Sequence, residues 1–196
     1  MPDRHATLPT DPDSYQVAEE LAGRLEAAHC EYALGGAIAL GFWSEPRGTL
    51  DVDVTLYLPL DDPRRCTTLL DQIGCVFDRE RTETMLTEHT FCQVQFLGMR
   101  LDVFLPMSSF YELAKARRRE VPMGNHQAYI WDAETLCVFK MMFFRPKDFV
   151  DIQSILRSQG PSLDRDWIRT ALLGLYGKWD PRLNQWDELV AEASSQ

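Results

Sequence analysis

The sequence lacks the long apolar run that a membrane-spanning helix requires. No apolar stretch in its 196 residues reaches the roughly 18 residues needed to cross a bilayer. The first residues, MPDRHATLPTDPD, also lack the apolar centre of a signal peptide. We therefore expect a soluble protein of the cytoplasm with no membrane partner.

Positive charge is scarce as well. The chain has 20 Lys and Arg against 30 Asp and Glu, a formal net charge of −10, and a pI near 4.8. An acidic chain repels phosphate backbones, so broad nucleic-acid binding is unfavourable. The densest basic segment, KARRR at residues 115–119, is most simply a solvated helix face. RNA binding stays open only through this local patch.

The sequence also has no spacing typical of a zinc site or a disulfide framework. Its five cysteines are scattered without a C-x-x-C pair, and its four histidines lie far apart. An odd number of cysteines without motif spacing favours reduced thiols. We therefore look for functional residues among the carboxylates.

Residues 32–58, YALGGAIALGFWSEPRGTLDVDVTLYL, are the most informative stretch. They predict a strand at 32–34, a helix at 37–42 and a second strand at 50–58. Side chains alternate across a strand, so Asp51 and Asp53 should share one face and their aliphatic neighbours the other. Two carboxylates on an apolar strand need a cation, a shared proton or open water. Mg²⁺ is the natural candidate, because it binds through one or two carboxylates plus substrate phosphates.

Gly35 and Gly36 separate the first predicted strand from the helix that follows. A glycine pair lets the backbone approach a ligand closely, and it directs helix N–H groups at an anion. A turn that starts a helix requires glycine with or without a phosphate. The aspartates downstream favour the phosphate-binding interpretation.

Together these residues resemble the nucleotidyltransferase superfamily that includes DNA polymerase beta, and in particular its minimal, AbiEii-type bacterial branch. The family pattern is a Gly-Gly or Gly-Ser pair, a D-x-D strand and a third acidic strand position. Gly35 and Gly36 match the pair, and Asp51 and Asp53 match D-x-D. Asp102, in RLDVFLP, is the best third carboxylate. The resemblance covers about residues 30–156.

Two further segments match this branch. Arg47 and Thr49 match a basic-x-hydroxyl step before D-x-D, and KMMFFRPKDFVDI, which begins at Lys140, resembles a helical K…R-x-K-D-x-x-D-I segment. From the residues alone, Arg47 and Thr49 could equally be ordinary loop residues. Lys140 could be a solvated helix lysine. Asp148 and Asp151 are explained most simply by the helix dipole near a helix start.

The resemblance implies a Mg²⁺- or Mn²⁺-dependent nucleotidyltransferase that moves a nucleoside monophosphate from an NTP to a hydroxyl acceptor. Asp51, Asp53 and Asp102 would be both metal ligands and catalytic residues. The nucleotide would bind at Gly35, Gly36, Arg47, Thr49 and Lys140. The acceptor would be an RNA 3′ end, a protein or a small molecule, and the resemblance also raises a toxin–antitoxin role with a partner protein. The alternative is a non-catalytic binding or regulatory (antitoxin-like) module that keeps the fold.

The order of predicted elements indicates an α+β fold, with a small mixed β-sheet core, flanking helices and a helical C-terminal part. We predict a mobile segment at 1–12, a nucleotidyltransferase core at 13–131 and a helical part at 132–196. The polar segment at residues 78–88 is ambiguous. The other predicted elements are a helix at 14–29 capped by Ser14, a helix at 63–73, a hairpin at 90–106 turning at Gly98–Met99, a helix at 109–119, a strand at 129–131, a helix at 133–144 capped by Asp132, and helices at 147–156, 164–175 and 182–193.

Overall fold

The structure is a computed structural model that describes residues 12–194. The predicted mobile segment at residues 1–12 lies outside the described residues, apart from Pro12. The helices are α1 (Ser14–Ala27), α2 (Gly36–Trp43), α3 (Pro63–Gln72), α4 (Arg79–His89), α5 (Phe110–Arg117), α6 (Ala133–Phe143), α7 (Pro146–Gln159), α8 (Arg165–Tyr176) and α9 (Pro181–Ser194). The strands are β1 (Tyr32–Leu34), β2 (Asp51–Leu56), β3 (Phe91–Phe96), β4 (Met99–Phe104), β5 (Arg119–Met123) and β6 (His126–Ile130).

The strands form one mixed sheet in the order β3-β4-β2-β1-β6-β5. β2 runs parallel to β4, whereas β1 is antiparallel to β2 and β3 is antiparallel to β4. This arrangement, with helices around it, confirms the predicted α+β fold with a small mixed sheet. Among residues 12–194, no helix is both long and apolar enough to cross a membrane.

The described residues divide into two compact units. The first comprises residues 12–34, 48–107 and 120–129, and the second comprises residues 35–47, 108–119 and 130–194. The first unit holds most of the sheet with α1, α3 and α4. The second unit holds α2 and α5 to α9. The predicted division at residue 131 stays a prediction.

The core of the first unit follows the alternation of its strands. Val52 and Val54 of β2 are buried, as are Leu101 and Val103 of β4. α1 packs against β2 and begins at Ser14, the first residue of the predicted helix. Its N-cap is Asp13, whose carboxylate accepts a hydrogen bond from the Gln16 N–H at 2.9 Å while the Gln16 side chain accepts one from the Asp13 N–H. The predicted Ser14 cap is therefore wrong. Asp13 is the cap instead, because its capping box with Gln16 gives a hydrogen-bond acceptor to the N–H groups of both Asp13 and Gln16.

Two elements, α4 and β5, were not predicted by the sequence patterns. Residues 78–88 are largely the helix α4, which buries only Thr82 and Leu86, so its apolar periodicity is weak. The predicted helix at 109–119 ends at Arg117, and the chain continues into β5 and an enlarged β6. β5 contains Pro122 and lies at the edge of the sheet, where a missing N–H is tolerated.

The second unit is built around α6, which packs against α2, α7 and α8. Asp132 caps α6 as predicted, with its carboxylate accepting from the Thr135 N–H at 2.9 Å. α9 packs against α7 and α8 and buries Leu183, Trp186 and Leu189. The predicted helical C-terminal part is thus a packed set of helices with a core of its own.

The β3–β4 turn falls one residue earlier than predicted. Phe96 pairs with Met99, and the two residues between them, Leu97 and Gly98, have φ of 52° and 81°. Positive φ at both central positions is the geometry of a tight two-residue hairpin. The same turn length joins β5 to β6 through Gly124 and Asn125.

We expect Gly124→Ala to destabilise the first unit more than Gly98→Ala does. Both glycines have positive φ, which costs an L-residue about 1–2 kcal/mol. A Cβ at Gly124 would also overlap the Glu19 carboxylate, which accepts a hydrogen bond from the Asn125 N–H at 2.7 Å. Losing that charged hydrogen bond should add roughly 1.5 kcal/mol or more.

Gly98→Ala is the matched control, because no described atom lies within 4 Å of the Cβ it would add. Urea denaturation of both variants would measure the difference in free energy of unfolding. Equal losses would show that the contact between Glu19 and the turn contributes nothing.

Candidate active site

One face of the sheet carries the predicted carboxylates. Asp51 and Asp53 are half-buried and alternate with the buried residues Val52 and Val54. The pattern predicted from the sequence for β2 is therefore confirmed. The carboxylates are confined to one face because a strand has a two-residue repeat.

Asp102 joins this face from the neighbouring strand. In the parallel pair β2–β4, Asp53 is in register with Asp102, and Asp51 is in register with Arg100. Residues in register on adjacent strands project to the same side, with the strands about 4.8 Å apart. Asp102 therefore shares a face with Asp51 and Asp53.

The carboxylates are held by three polar neighbours. The Thr49 hydroxyl donates to Asp51 Oδ1 at 2.5 Å, and the Gln93 amide donates to Asp102 Oδ1 at 3.1 Å. The guanidinium of Arg100 contacts Asp51 Oδ2, and its Nε lies 3.2 Å from Asp102 Oδ1. Sequence reasoning missed Arg100, although its position two residues before Asp102 on the same strand was a usable signal.

A second charged group lies in the second unit. Arg47 donates through Nε and Nη2 to the two oxygens of Asp151, both at 2.9 Å, and Lys140 Nζ lies 2.6 Å from Asp151 Oδ2. The side chains of Lys140 and Asp151 are each only 5% exposed. Lys140 is therefore not a solvated helix lysine. The helix-dipole explanation of Asp151 was incomplete, because a buried carboxylate between two cations is held mainly by those cations.

The two cations also control how Asp151 ionises. Burial acts to raise the pKa of Asp151, but the hydrogen bonds from Arg47 and Lys140 lower it, and the net shift is downward. The carboxylate is thus ionised at neutral pH. Two cations share one anion, so the group keeps one net positive charge.

Two solved structures share this architecture. An antigenic nucleotidyltransferase-like protein from Paracoccidioides brasiliensis is 19% identical, with a TM-score of 0.51 over 89% of this chain and 94% of that one. The lincosamide antibiotic adenylyltransferase LnuA, bound to lincomycin, is 11% identical, with a TM-score of 0.53 over 74% of this chain and 98% of that one.

The chain has the nucleotidyltransferase fold. At these identities the likeness establishes the fold alone. No family model and no curated protein matches the chain. Its assignment to the AbiEii-type branch stays a prediction.

The carboxylate set has the donor atoms that a hard divalent cation prefers. Asp51, Asp53 and Asp102 offer only oxygen donors, which Mg²⁺ and Mn²⁺ prefer. Within residues 12–194, no three His, Cys, Asp or Glu side chains are already arranged to hold a metal ion. The Arg100 guanidinium lies against two of the three carboxylates. The donor types therefore fit a divalent ion, although a cationic side chain engages them here.

The glycine pair begins α2 of the nucleotidyltransferase fold. Gly35 is the N-cap and has no side chain to cap the helix, and Gly36 has φ of 54°. A residue with a Cβ would be strained at Gly36, so the backbone itself favours glycine there. This preference holds with or without a bound phosphate, and the phosphate-binding role stays a prediction.

The remaining predicted residues have local partners. Asp148 accepts from the Arg145 N–H at 3.1 Å and Arg145 Nε at 2.7 Å, so it stabilises the start of α7 as expected. In the basic segment, the Arg117 guanidinium lies over the Trp167 ring at 4.1 Å and pairs with Asp132 and Glu134. Segment 115–119 is therefore not a uniform solvated face.

Proposed function

We propose that this protein transfers a nucleoside monophosphate from an NTP to a hydroxyl acceptor, with Mg²⁺ or Mn²⁺ held by Asp51, Asp53 and Asp102. The observation that carries the proposal is the in-register placement of Asp53 and Asp102, with Asp51 on the same face of the sheet. The fold shared with LnuA supports it. Phosphoryl chemistry of this kind needs carboxylates and bound cations rather than a protein nucleophile.

The residues of the carboxylate face would have separate roles in the reaction. Asp51 and Asp53 would bind the metal ion, and Thr49 would hold Asp51 in place through its hydrogen bond. Asp102 would accept the proton of the attacking hydroxyl. A divalent ion held by these carboxylates would stabilise the charge that builds on the transferred phosphate and would lower the pKa of the attacking hydroxyl.

Gly35, Gly36, Arg47 and Lys140 are proposed to contact the phosphates of the NTP. The net positive charge of the Arg47–Asp151–Lys140 group is suited to a polyphosphate. Asp151 would act as a positioning residue, because it holds both cations through hydrogen bonds.

One fold serves many acceptors, so three acceptor classes are tested for this protein. LnuA is a lincosamide adenylyltransferase, which makes a small-molecule hydroxyl the first acceptor to test. An RNA 3′ end and a protein hydroxyl, the latter in a toxin–antitoxin setting, are the other candidates. Incubating labelled ATP, CTP, GTP and UTP with Mg²⁺ and each acceptor class would test transfer directly. An absence of transfer to every class would contradict the proposal.

A non-catalytic binding or regulatory module is the second candidate, and one observation favours it. Arg100 already neutralises Asp51 and Asp102 in part, so the carboxylates depend less on a metal ion for charge balance. Under this alternative, Mn²⁺ together with an NTP would leave the melting temperature unchanged. A ligand that binds only the folded state would raise it.

We expect Asp51→Asn combined with Asp53→Asn to abolish Mn²⁺ binding without unfolding the protein. The two amides keep the size of the side chains but remove the charges that attract a divalent ion. Isothermal titration calorimetry with Mn²⁺ would measure the loss, and circular dichroism would check the fold.

Asp71→Asn is the control for this experiment. Asp71 is an exposed aspartate on α3 of the same unit, and it pairs with Arg79. The Asp71→Asn variant should bind Mn²⁺ with the affinity of the wild type. Unchanged Mn²⁺ affinity in the double variant would remove the metal site from the proposal.

A further inference from the structure

We propose that Arg100 is the counter-cation of the carboxylate site when no metal is bound, and that its guanidinium must swing out before a divalent ion binds. Arg100 would thereby set the metal affinity of the site. This inference rests on the proposed function, since it takes Asp51, Asp53 and Asp102 as the metal ligands. It adds a residue that neither the resemblance nor the comparisons assign.

The position of Arg100 supports this role. It stands on β4 in register with Asp51 and two residues before Asp102, so it shares the carboxylate face. Its Nη2 contacts Asp51 Oδ2, and its Nε reaches Asp102 Oδ1. A single guanidinium thus bridges two of the three predicted ligands. Its planar fork of donors is suited to such bridging, whereas the ammonium of lysine is a point charge.

The contacts compete directly with metal binding. A carboxylate oxygen that accepts a hydrogen bond from a guanidinium has one of its lone pairs occupied, so fewer lone pairs are left for a metal ion. Two cations beside the same carboxylates would also repel each other. A metal ion that binds Asp51 and Asp102 therefore competes with Arg100 and would displace its guanidinium.

Arg100 is free enough to leave. Its side chain is 51% exposed, whereas those of Asp51 and Asp102 are 21% and 13% exposed. The long side chain can carry its charge into water while the carboxylates stay in place. Exposed ion pairs contribute little to stability, so the exchange is energetically accessible to a divalent ion.

The test compares Mn²⁺ binding by the full chain and three variants using calorimetry. Arg100→Gln removes the charge and the bridge. Arg100→Lys keeps the charge but removes the planar fork. Arg79→Gln is the matched control, because Arg79 also pairs with two carboxylates, Asp71 and Glu83, and its side chain is 47% exposed.

We expect Arg100→Gln to bind Mn²⁺ roughly tenfold more tightly than the wild type, in line with the loss of two exposed ion pairs. Arg100→Lys should fall between the two, and Arg79→Gln should match the wild type. In EDTA, Arg100→Gln should melt at a lower temperature than the wild type, and Mn²⁺ should raise its melting temperature by a larger amount. The Arg100 Nε–H resonance of the wild type should shift when diamagnetic Mg²⁺ is added.

Each other outcome has a definite meaning. If the wild type binds Mn²⁺ and Arg100→Gln binds it equally or more weakly, the inference is overturned while the proposed function stands. Equal affinity of Arg100→Lys and the wild type would also overturn it, because net charge alone would then explain the effect. If neither the wild type nor Arg100→Gln binds Mn²⁺, both the inference and the proposed metal site fail.

Discussion

Replacing Asp102 with asparagine should reduce nucleotidyl transfer by several orders of magnitude, while NTP and one metal ion still bind. Asp102 is in register with Asp53 but lies on a separate strand, so Asp51 and Asp53 remain available as metal ligands in the variant. Asparagine cannot accept the proton of the attacking hydroxyl, and an unactivated hydroxyl attacks slowly. The Gln93 amide can still donate to the side-chain oxygen of asparagine, so the local structure should persist.

Single-turnover transfer and separate NTP binding measurements would check this expectation. The free energy lost from the transition state follows from the ratio of kcat/KM values. Asp71→Asn, the control from the first unit, should transfer as the wild type does. Full activity in Asp102→Asn would show that Asp102 is not catalytic, and a wild type without transfer would favour the binding module.

Replacing Asp151 with asparagine is expected to destabilise the second unit by about 3–5 kcal/mol, because it leaves the buried Lys140 ammonium without its counter-charge. Arg47 would lose the same partner, but its side chain is 41% exposed and can turn to water. The loss should therefore come mainly from Lys140. Urea denaturation at pH 7 would measure it.

A double variant separates the ion pair from the packing around it. Lys140→Met combined with Asp151→Leu removes both buried charges, and replacing a buried pair with apolar side chains is often neutral. We therefore expect the double variant to be more stable than Asp151→Asn. If Asp151→Asn is itself as stable as the wild type, the pair does not hold the second unit together.

The lowered pKa of Asp151 predicts the direction of the pH effect. A carboxyl group whose pKa is lower in the folded state stabilises the fold above its unfolded pKa, which is about 3.9 for aspartate. That contribution is lost as the pH falls through the folded pKa. The stability difference between the wild type and Asp151→Asn should thus be largest near neutral pH and shrink in acid. A constant difference across this range would contradict the ionised pair.

Some of these residues could be assigned from local patterns and others could not. The shared face of Asp51 and Asp53 follows from the two-residue repeat of a strand, so the sequence sufficed. The helix α4 was left undecided, because it buries few side chains and its periodicity is weak. Arg100 lies two residues before Asp102, and Asp151 lies in the segment that begins at Lys140, but neither position shows which charged side chain it pairs with.

The sequence by itself determined which strand bears the paired carboxylates, where glycine is needed before α2, and that the fold is α+β. These features depend on neighbouring residues, whose spacing is visible along the chain. Only the tertiary structure decided that Asp102 is in register with Asp53, that Arg100 bridges Asp51 and Asp102, and that Asp151 holds Lys140 and Arg47. Each of these contacts joins residues that are distant in the chain. Asp151 lies 11 residues from Lys140 and 104 residues from Arg47, and Arg100 lies 49 residues from Asp51. Such pairings are selected by the packing of whole strands and helices, which no local pattern encodes.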